Sequence, residues 1–157
     1  MSDSSIPRPH DATELKSPPR MTAWHDWMAT GNEEVDNQHR DLLNKVADLL
    51  LACREQRMAE EISKLFWFLK RYVRRHFRDE EKLQLDSGYP GYAAHRAEHQ
   101  AFYAQVTELE ARYLKDGTST TLIVESLNLM CEWLHRHFRQ MDQELVDYLH
   151  GVGSYAP

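Results

Sequence analysis

The stretch from His76 to His99, HFRDEEKLQLDSGYPGYAAHRAEH, decides the fold. It sets His76 and Glu80 four residues apart, breaks at Ser87-Gly88-Tyr89-Pro90, and then sets His95 and His99 four apart. Residues four apart on an α-helix differ by about 40° around its axis, so each pair leaves one face of its rod. Two such rods joined by a short turn lie antiparallel. They then aim three imidazoles and a carboxylate at one point, which is how a metal site is built inside a helical bundle.

Outward from this hairpin the chain keeps the same period. Asn32 followed by Glu33 and Glu34 is a helix start, with a capping side chain and acids where the helix dipole favours them. The stripe that follows is Val35, Leu42, Leu43, Val46, Leu49 and Leu50, and His39 falls within it. A second helix is expected from Met58 to Leu85, with Ile62, Leu65, Leu69, Tyr72, Val73, His76, Glu80 and Leu83 inward. The third begins after Pro90 and runs to Lys115, presenting His95, His99, Phe102, Val106, Leu109 and Tyr113 inward; Asp116-Gly117 closes it. The fourth spans Ser119 to His150, with Ile123, Leu127, Met130, Leu134, His137, Met141 and Leu145 inward. Four long amphipathic helices with short turns predict an all-α, up-down-up-down four-helix bundle. Residues 1–23 contain Pro7, Pro9, Pro18 and Pro19 and are expected to form an irregular arm, whose end lies on the bundle through Trp24, Trp27 and Met28. His10 and Glu14, four apart in that arm, have no helix to hold them in register. The expected organisation is an arm over 1–23, one bundle domain over 24–150 and a tail over 151–157.

Bulk properties agree and exclude other classes. A chain of 157 residues with 41% hydrophobic and 28% charged residues is long enough for one buried core. The start of the chain has no apolar run, and no segment is long and apolar enough to span a bilayer, so a cytoplasmic protein is expected. Cys53 and Cys131 form no paired motif and are read as buried free thiols in a reducing compartment. A net charge of −6 argues against nucleic acid as a partner. Lys70, Arg71, Arg74, Arg75 and Arg78 fall between apolar positions and read as a solvated ridge.

Four helices, each with an inward histidine away from its ends, are hard to explain as unconnected core residues. Buried imidazoles with no shared purpose leave polar groups unmet, and the inward Glu80 needs a cation. Periodicity also picks the ligands. His137 lies in the fourth stripe, whereas His135 is turned about 160° away and faces outward. His25 and His150 sit near element ends, on the surface.

The last ligand is less obvious. His76-Phe77-Arg78 recurs as His137-Phe138-Arg139, but the acid follows four after His76 (Glu80) and five after His137 (Asp142). An ordinary helix turns Asp142 about 140° from His137, so the fourth helix is expected to be widened there by a π-turn. His39, His76, Glu80, His95, His99, His137 and Asp142 are then too many ligands for one transition ion and natural for two. Without thiolates they suit iron, manganese, zinc or copper. Two six-coordinate ions offer about twelve positions; bridging carboxylates fill four, imidazoles five and a bridging solvent oxygen two, which leaves one open for a small molecule. The ferritin-like alternative needs two Glu-x-x-His motifs. Only Glu132-Trp-Leu-His135 occurs, with its histidine outward.

These motifs resemble the hemerythrins, and the single-domain bacteriohemerythrins in particular. The resemblance is carried by Trp27 and Gly31 leading into Val35-Asp36-Asn37-Gln38-His39, then His76-Phe77-x-x-Glu80-Glu81-x-Leu83. Tyr89-Pro90-x4-His95-x3-His99-x2-Phe102 and Trp133-Leu134-x2-His137-x4-Asp142 complete it. It covers about residues 24–150. By resemblance the cofactor is a pair of non-haem iron ions (Fe2+/Fe3+) with a bridging oxo or hydroxo group. One ion takes His95, His99 and His137, the other His39 and His76, with Glu80 and Asp142 across both. The resemblance implies reversible dioxygen binding on the two-histidine side, for oxygen storage, delivery or scavenging, with Leu134 and Trp133 lining the oxygen pocket. It implies no enzymatic activity and a monomer; beyond dioxygen, a delivery role would add an oxidase or another oxygen-consuming protein as partner. The alternatives are an oxygen or redox sensor module and a di-iron enzyme consuming peroxide or nitric oxide. A histidine phosphotransfer bundle would need one exposed histidine instead of five inward ones. The chain departs from the family pattern at Asn32, usually aliphatic, and at Gln84, commonly methionine.

Overall fold

A computed structural model of the chain describes residues 22–151, so the arm, except its last two residues, and all of the tail but Gly151 lie outside the described residues, as do His10 and Glu14. Four rods form the bundle: α1 (Glu33–Arg54), α2 (Met58–Ser87), α3 (Tyr92–Asp116), and a last rod made of α4 (Thr120–Glu132), a π-helical segment (Trp133–Met141) and α5 (Asp142–Leu149). No strand occurs among the described residues. The expected helix boundaries agree to within two residues.

Local chemistry explains the ends. Asn32 Oδ1 accepts from the amides of Glu34 and Val35 at 3.1 and 3.2 Å, so the departure at this position is a working N-cap. Just before it, Asp36 Oδ1 accepts from the amide and hydroxyl of Thr30 at 2.8 and 2.7 Å and ties the entering chain to α1. At the other end of the hairpin, Gly88 is left-handed (φ 70°) and stops α2. The Tyr89 ring folds back over Gly91, where a Cβ would meet it at 2.5 Å. Tyr148 of α5 donates its hydroxyl to the carbonyls of Ser87 and Gly88, at 2.9 and 3.1 Å, and pins this turn to the end of the last rod.

The core is layered along the bundle. Leu42, Leu43, Val46, Leu49, Ile62, Leu65, Leu69, Phe102, Val106, Leu122 and Met130 are all buried and fill one end with hydrocarbon. The polar centre occupies the other. Burial within the last rod differs by one register from the expected stripe: Leu122, Ser126 and Leu129 are buried, whereas Ile123 and Leu127 are only partly so. Widening of the rod farther on shifts the inward face, and a single 3.6-residue period drawn through the whole rod cannot follow it. On α2 it is Gln84, not Leu83, that takes the deep position. Trp27 is 43% exposed and stacks on His25 rather than on the bundle, while Met28 is buried and Trp24 is half-buried beneath the Arg40 guanidinium. The thiols are free, but Cys53 is exposed and Cys131 half-buried, so neither is a core residue as expected. The basic ridge of α2 is exposed, with Lys70 paired to Glu110 at 2.9 Å and Arg75 to Glu34.

Candidate metal centre

Every rod sends histidine into one buried cluster. His39 comes from α1, His76 and Glu80 from α2, His95 and His99 from α3, His137 from the π-helical segment and Asp142 from the start of α5; none is more than 4% exposed. Two overlapping groups have their ligand atoms within 4.8 Å of one another: Glu80, His95, His99 and His137, and His39, His76, Glu80 and Asp142. Glu80 belongs to both. Its Oε2 lies 3.1 Å from Nε2 of His95 and of His99, and its Oε1 3.7 Å from Nε2 of His39. Asp142 straddles the same divide, with Oδ1 3.1 Å from His137 Nε2 and 3.2 Å from His95 Nε2, and Oδ2 3.4 Å from His39 Nε2. Asp142 therefore shows one oxygen to each half, as a bridging group would, while Glu80 turns Oε1 to His39 and Oε2 to His95, His99 and, at 3.8 Å, His76.

Asp142 reaches this place because the rod widens. Its amide donates to the carbonyl of His137, a five-residue turn, and Trp133–Met141 forms a π-helical segment. A wider turn returns the fifth residue to the face of the first. The neighbouring His135 and Glu132 are exposed and take no part in the cluster.

The donors fit a pair of cations. Nε2 of His39 and of His76, Oε1 of Glu80 and Oδ1 of Asp142 are buried without a hydrogen-bond partner, and His99 Nε2 faces His137 Nε2 at 3.1 Å. Lone pairs gathered in a dry interior are costly unless a cation stands among them. Imidazole nitrogens and carboxylate oxygens without thiolate suit a transition ion.

Burial and neighbouring charge divide the imidazoles. Burial lowers the His76 pKa to about 3, despite the nearby Glu80 charge, and keeps the ring neutral, the form that ligates. Burial lowers that of His137 as well. His95 is the opposite case: burial pulls it down, but the Asp142 and Glu80 carboxylates, 3.2 and 3.1 Å away, prevail and raise it to about 10. Burial pushes the Glu80 carboxyl up, yet the imidazoles of His76, His95 and His99 hold it well below its usual range. Asp142 is likewise held low by His137 and His95, against burial and the Glu80 charge.

An outer layer orients the rings. Gln38 Oε1 lies 3.1 Å from His76 Nδ1, and the Gln38 amide nitrogen donates to Asp79 and Glu34 at 2.8 and 3.2 Å. Glu81 Oε1 lies 3.0 Å from His99 Nδ1. Such contacts fix which ring nitrogen is left for a metal. Phe77 stacks on His99 with centroids 3.8 Å apart, and Trp133 on His137 at the same separation. These aromatic rings line two surface grooves, of about 630 and 340 Å³, that end on His99 and His137 respectively, and they stand beside the ligands there. Leu134 is buried next to Trp133, and Phe138 meets His39 edge-on at 4.8 Å. Gln38 and Glu81 belong to the quoted motifs but carried no assigned role, because a hydrogen bond across helices leaves no mark on the period of either one.

A family model described as "Hemerythrin HHE cation binding domain" matches residues 30–149. The chain belongs to the hemerythrin family. Among relatives named bacteriohemerythrin, the protein of Clostridium acetobutylicum is 28% identical over 130 residues, covering 81% of this chain and all of the relative. That of Pseudomonas aeruginosa is 31% identical over 127 residues, covering 79% of this chain and 78% of its own. That of Methylococcus capsulatus is 24% identical over 112 residues, covering 69% and 81%. No solved structure matches the chain significantly. The hemerythrin match spans every side chain of the buried cluster, from His39 to Asp142.

Proposed function

We propose that this hemerythrin-family chain holds a pair of non-haem irons and binds dioxygen reversibly, as a carrier or store and not as an enzyme. The observation that carries the reading is the lopsided cluster, three imidazoles on one side and two on the other with both carboxylates shared between them. His95, His99 and His137 would fill one half, and His39 and His76 would leave the other a donor short, on the side where a small ligand enters. A bound iron pair supplies the two electrons that a reversibly held dioxygen takes up and gives back. Glu80 and Asp142 set the spacing of the two halves. Gln38 and Glu81 keep Nε2 of His76 and His99 turned inward. Leu134, Trp133, Phe77 and Phe138, all buried, surround the imidazoles with hydrocarbon that excludes water and the protons it would bring. A relative named bacteriohemerythrin covering the full length of its own chain supports the same reading.

Purification in air with iron quantification tests it, together with visible spectra before and after deoxygenation. Two irons per chain and a colour that leaves and returns with oxygen are expected. His76→Ala removes one of the two donors on the incomplete side and should abolish the colour. Steady turnover of peroxide, or retained colour in His76→Ala, would count against reversible binding at this site.

A further inference from the structure

An imidazole that gives Nε2 to an ion carries a proton on Nδ1 that needs an acceptor. His76 and His99 have theirs in Gln38 and Glu81. His95 Nδ1 is buried without one. Elsewhere in the same interior, Gln84 is wholly buried and both atoms of its amide lack a partner. A buried primary amide left unpaired is destabilising and calls for an explanation.

Nδ1 of His39 and of His137 is also unpartnered, on other rods, but the register of the α2–α3 hairpin brings Gln84 to His95. Residues equally far from the turn meet across it, as Phe77 meets Phe102 at 6.2 Å. Glu81 stands opposite His99 by the same register. Gln84, one turn nearer the hairpin end than Glu80 and Glu81, stands at the level of His95, one turn nearer than His99. Glu80, directly before it on the same face of α2, already touches the other ring nitrogen of His95 at 3.1 Å.

We propose that Gln84 is a positioning residue for His95, its amide oxygen accepting the Nδ1 proton as Gln38 and Glu81 serve His76 and His99. The soft terminal torsion of the amide lets it turn its oxygen toward the ring. The inference rests on His95 being a metal ligand. It gives the departure from methionine at position 84 a purpose: an acceptor for the one ring of the α2–α3 hairpin that otherwise has none.

The test uses the full chain loaded with zinc, which takes the same donors and leaves NMR lines sharp. In the unsubstituted protein the His95 Nδ1 proton should be visible and slow to exchange with water. Gln84→Met matches the volume but removes the acceptor. It should speed that exchange and hasten zinc loss to a chelator, each by about tenfold, with other backbone resonances in place. Gln84→Glu, which keeps an acceptor oxygen, should restore slow exchange. Wild-type exchange and zinc retention in Gln84→Met would overturn the role of Gln84, as would Gln84→Glu behaving like Gln84→Met. Failure of the unsubstituted chain to take up any metal would instead sink the metal-centre reading, and this inference with it.

Discussion

Residues 72–80 of α2, YVRRHFRDE, and residues 133–142 of the last rod, WLHRHFRQMD, are two versions of one ligand strip. Each begins with an aromatic ring stacked on the histidine four residues later: Tyr72 on His76 at 4.8 Å, Trp133 on His137 at 3.8 Å. Each follows with a buried aliphatic residue, Val73 or Leu134, and then His-Phe-Arg. They part at the acid. Glu80 comes four after its histidine, and a regular helix delivers it. Asp142 comes five after, and the rod must widen into a π-helix to bring it inward. One strip is held by intrinsic helix geometry. The other adopts a rarer geometry whose cost the ligand contacts must offset.

The comparison can be broken most drastically by inserting an alanine between Asp79 and Glu80, which gives α2 the five-residue spacing of the last rod. A regular helix then turns the carboxylate about 100° away from its place in the cluster. Iron should fall from two per chain to one or none while far-UV circular dichroism keeps its helical signal. Two irons retained would show that α2 can widen as the last rod does, and that ligand contacts suffice to form such a turn.

Stripping the metal sharpens the same contrast. With nothing to offset the widened turn, amides of residues 138–142 should exchange with deuterium at least about tenfold faster, whereas those of residues 76–80 should change little. Equal loss of protection in both strips would mean that the π-segment depends on packing alone.

The aliphatic pair separates function from packing. Leu134→Ala and Val73→Ala each remove buried methyls and should each cost on the order of 1–4 kcal/mol in denaturant unfolding. Only Leu134→Ala, beside the proposed gas pocket, should also bleach the aerobic colour several-fold faster; equal bleaching in both would place the pocket elsewhere.

The smallest effect is expected at Tyr72. Its hydroxyl is buried without a partner, and burial with the nearby Asp142 and Glu80 charges pushes its pKa well above 10. Tyr72→Phe should change stability by less than about 1 kcal/mol, toward the more stable side if anything. Oxygen release altered several-fold in this variant would show the hydroxyl to be engaged with the bound gas.

Much of this was legible in order along the chain. The stripes of α1 and α2 follow a single period, so His39, His76 and Glu80 could be placed inward from spacing alone, and His135 outward. Asn32 announced its helix by residue type. What was not legible came from contacts between rods. Gln84 read as a departure of no fixed direction, and the structure buries it. Gln38 and Glu81 gain a role only from the histidines facing them across the bundle, which the period of their own helices does not show. Trp27 read as an anchor and proved exposed, because a large apolar side chain near an element end carries no period to orient it.

Sequence by itself determined which residues could ligate and on which face of each helix they lie, because helical period is a local property of the backbone. Only the tertiary structure decided which carboxylate oxygen faces which imidazole, and which neighbours take up the remaining ring protons. Those outcomes depend on the register between rods and on a widened turn, and both are set by packing and by the buried charges gathered at the centre.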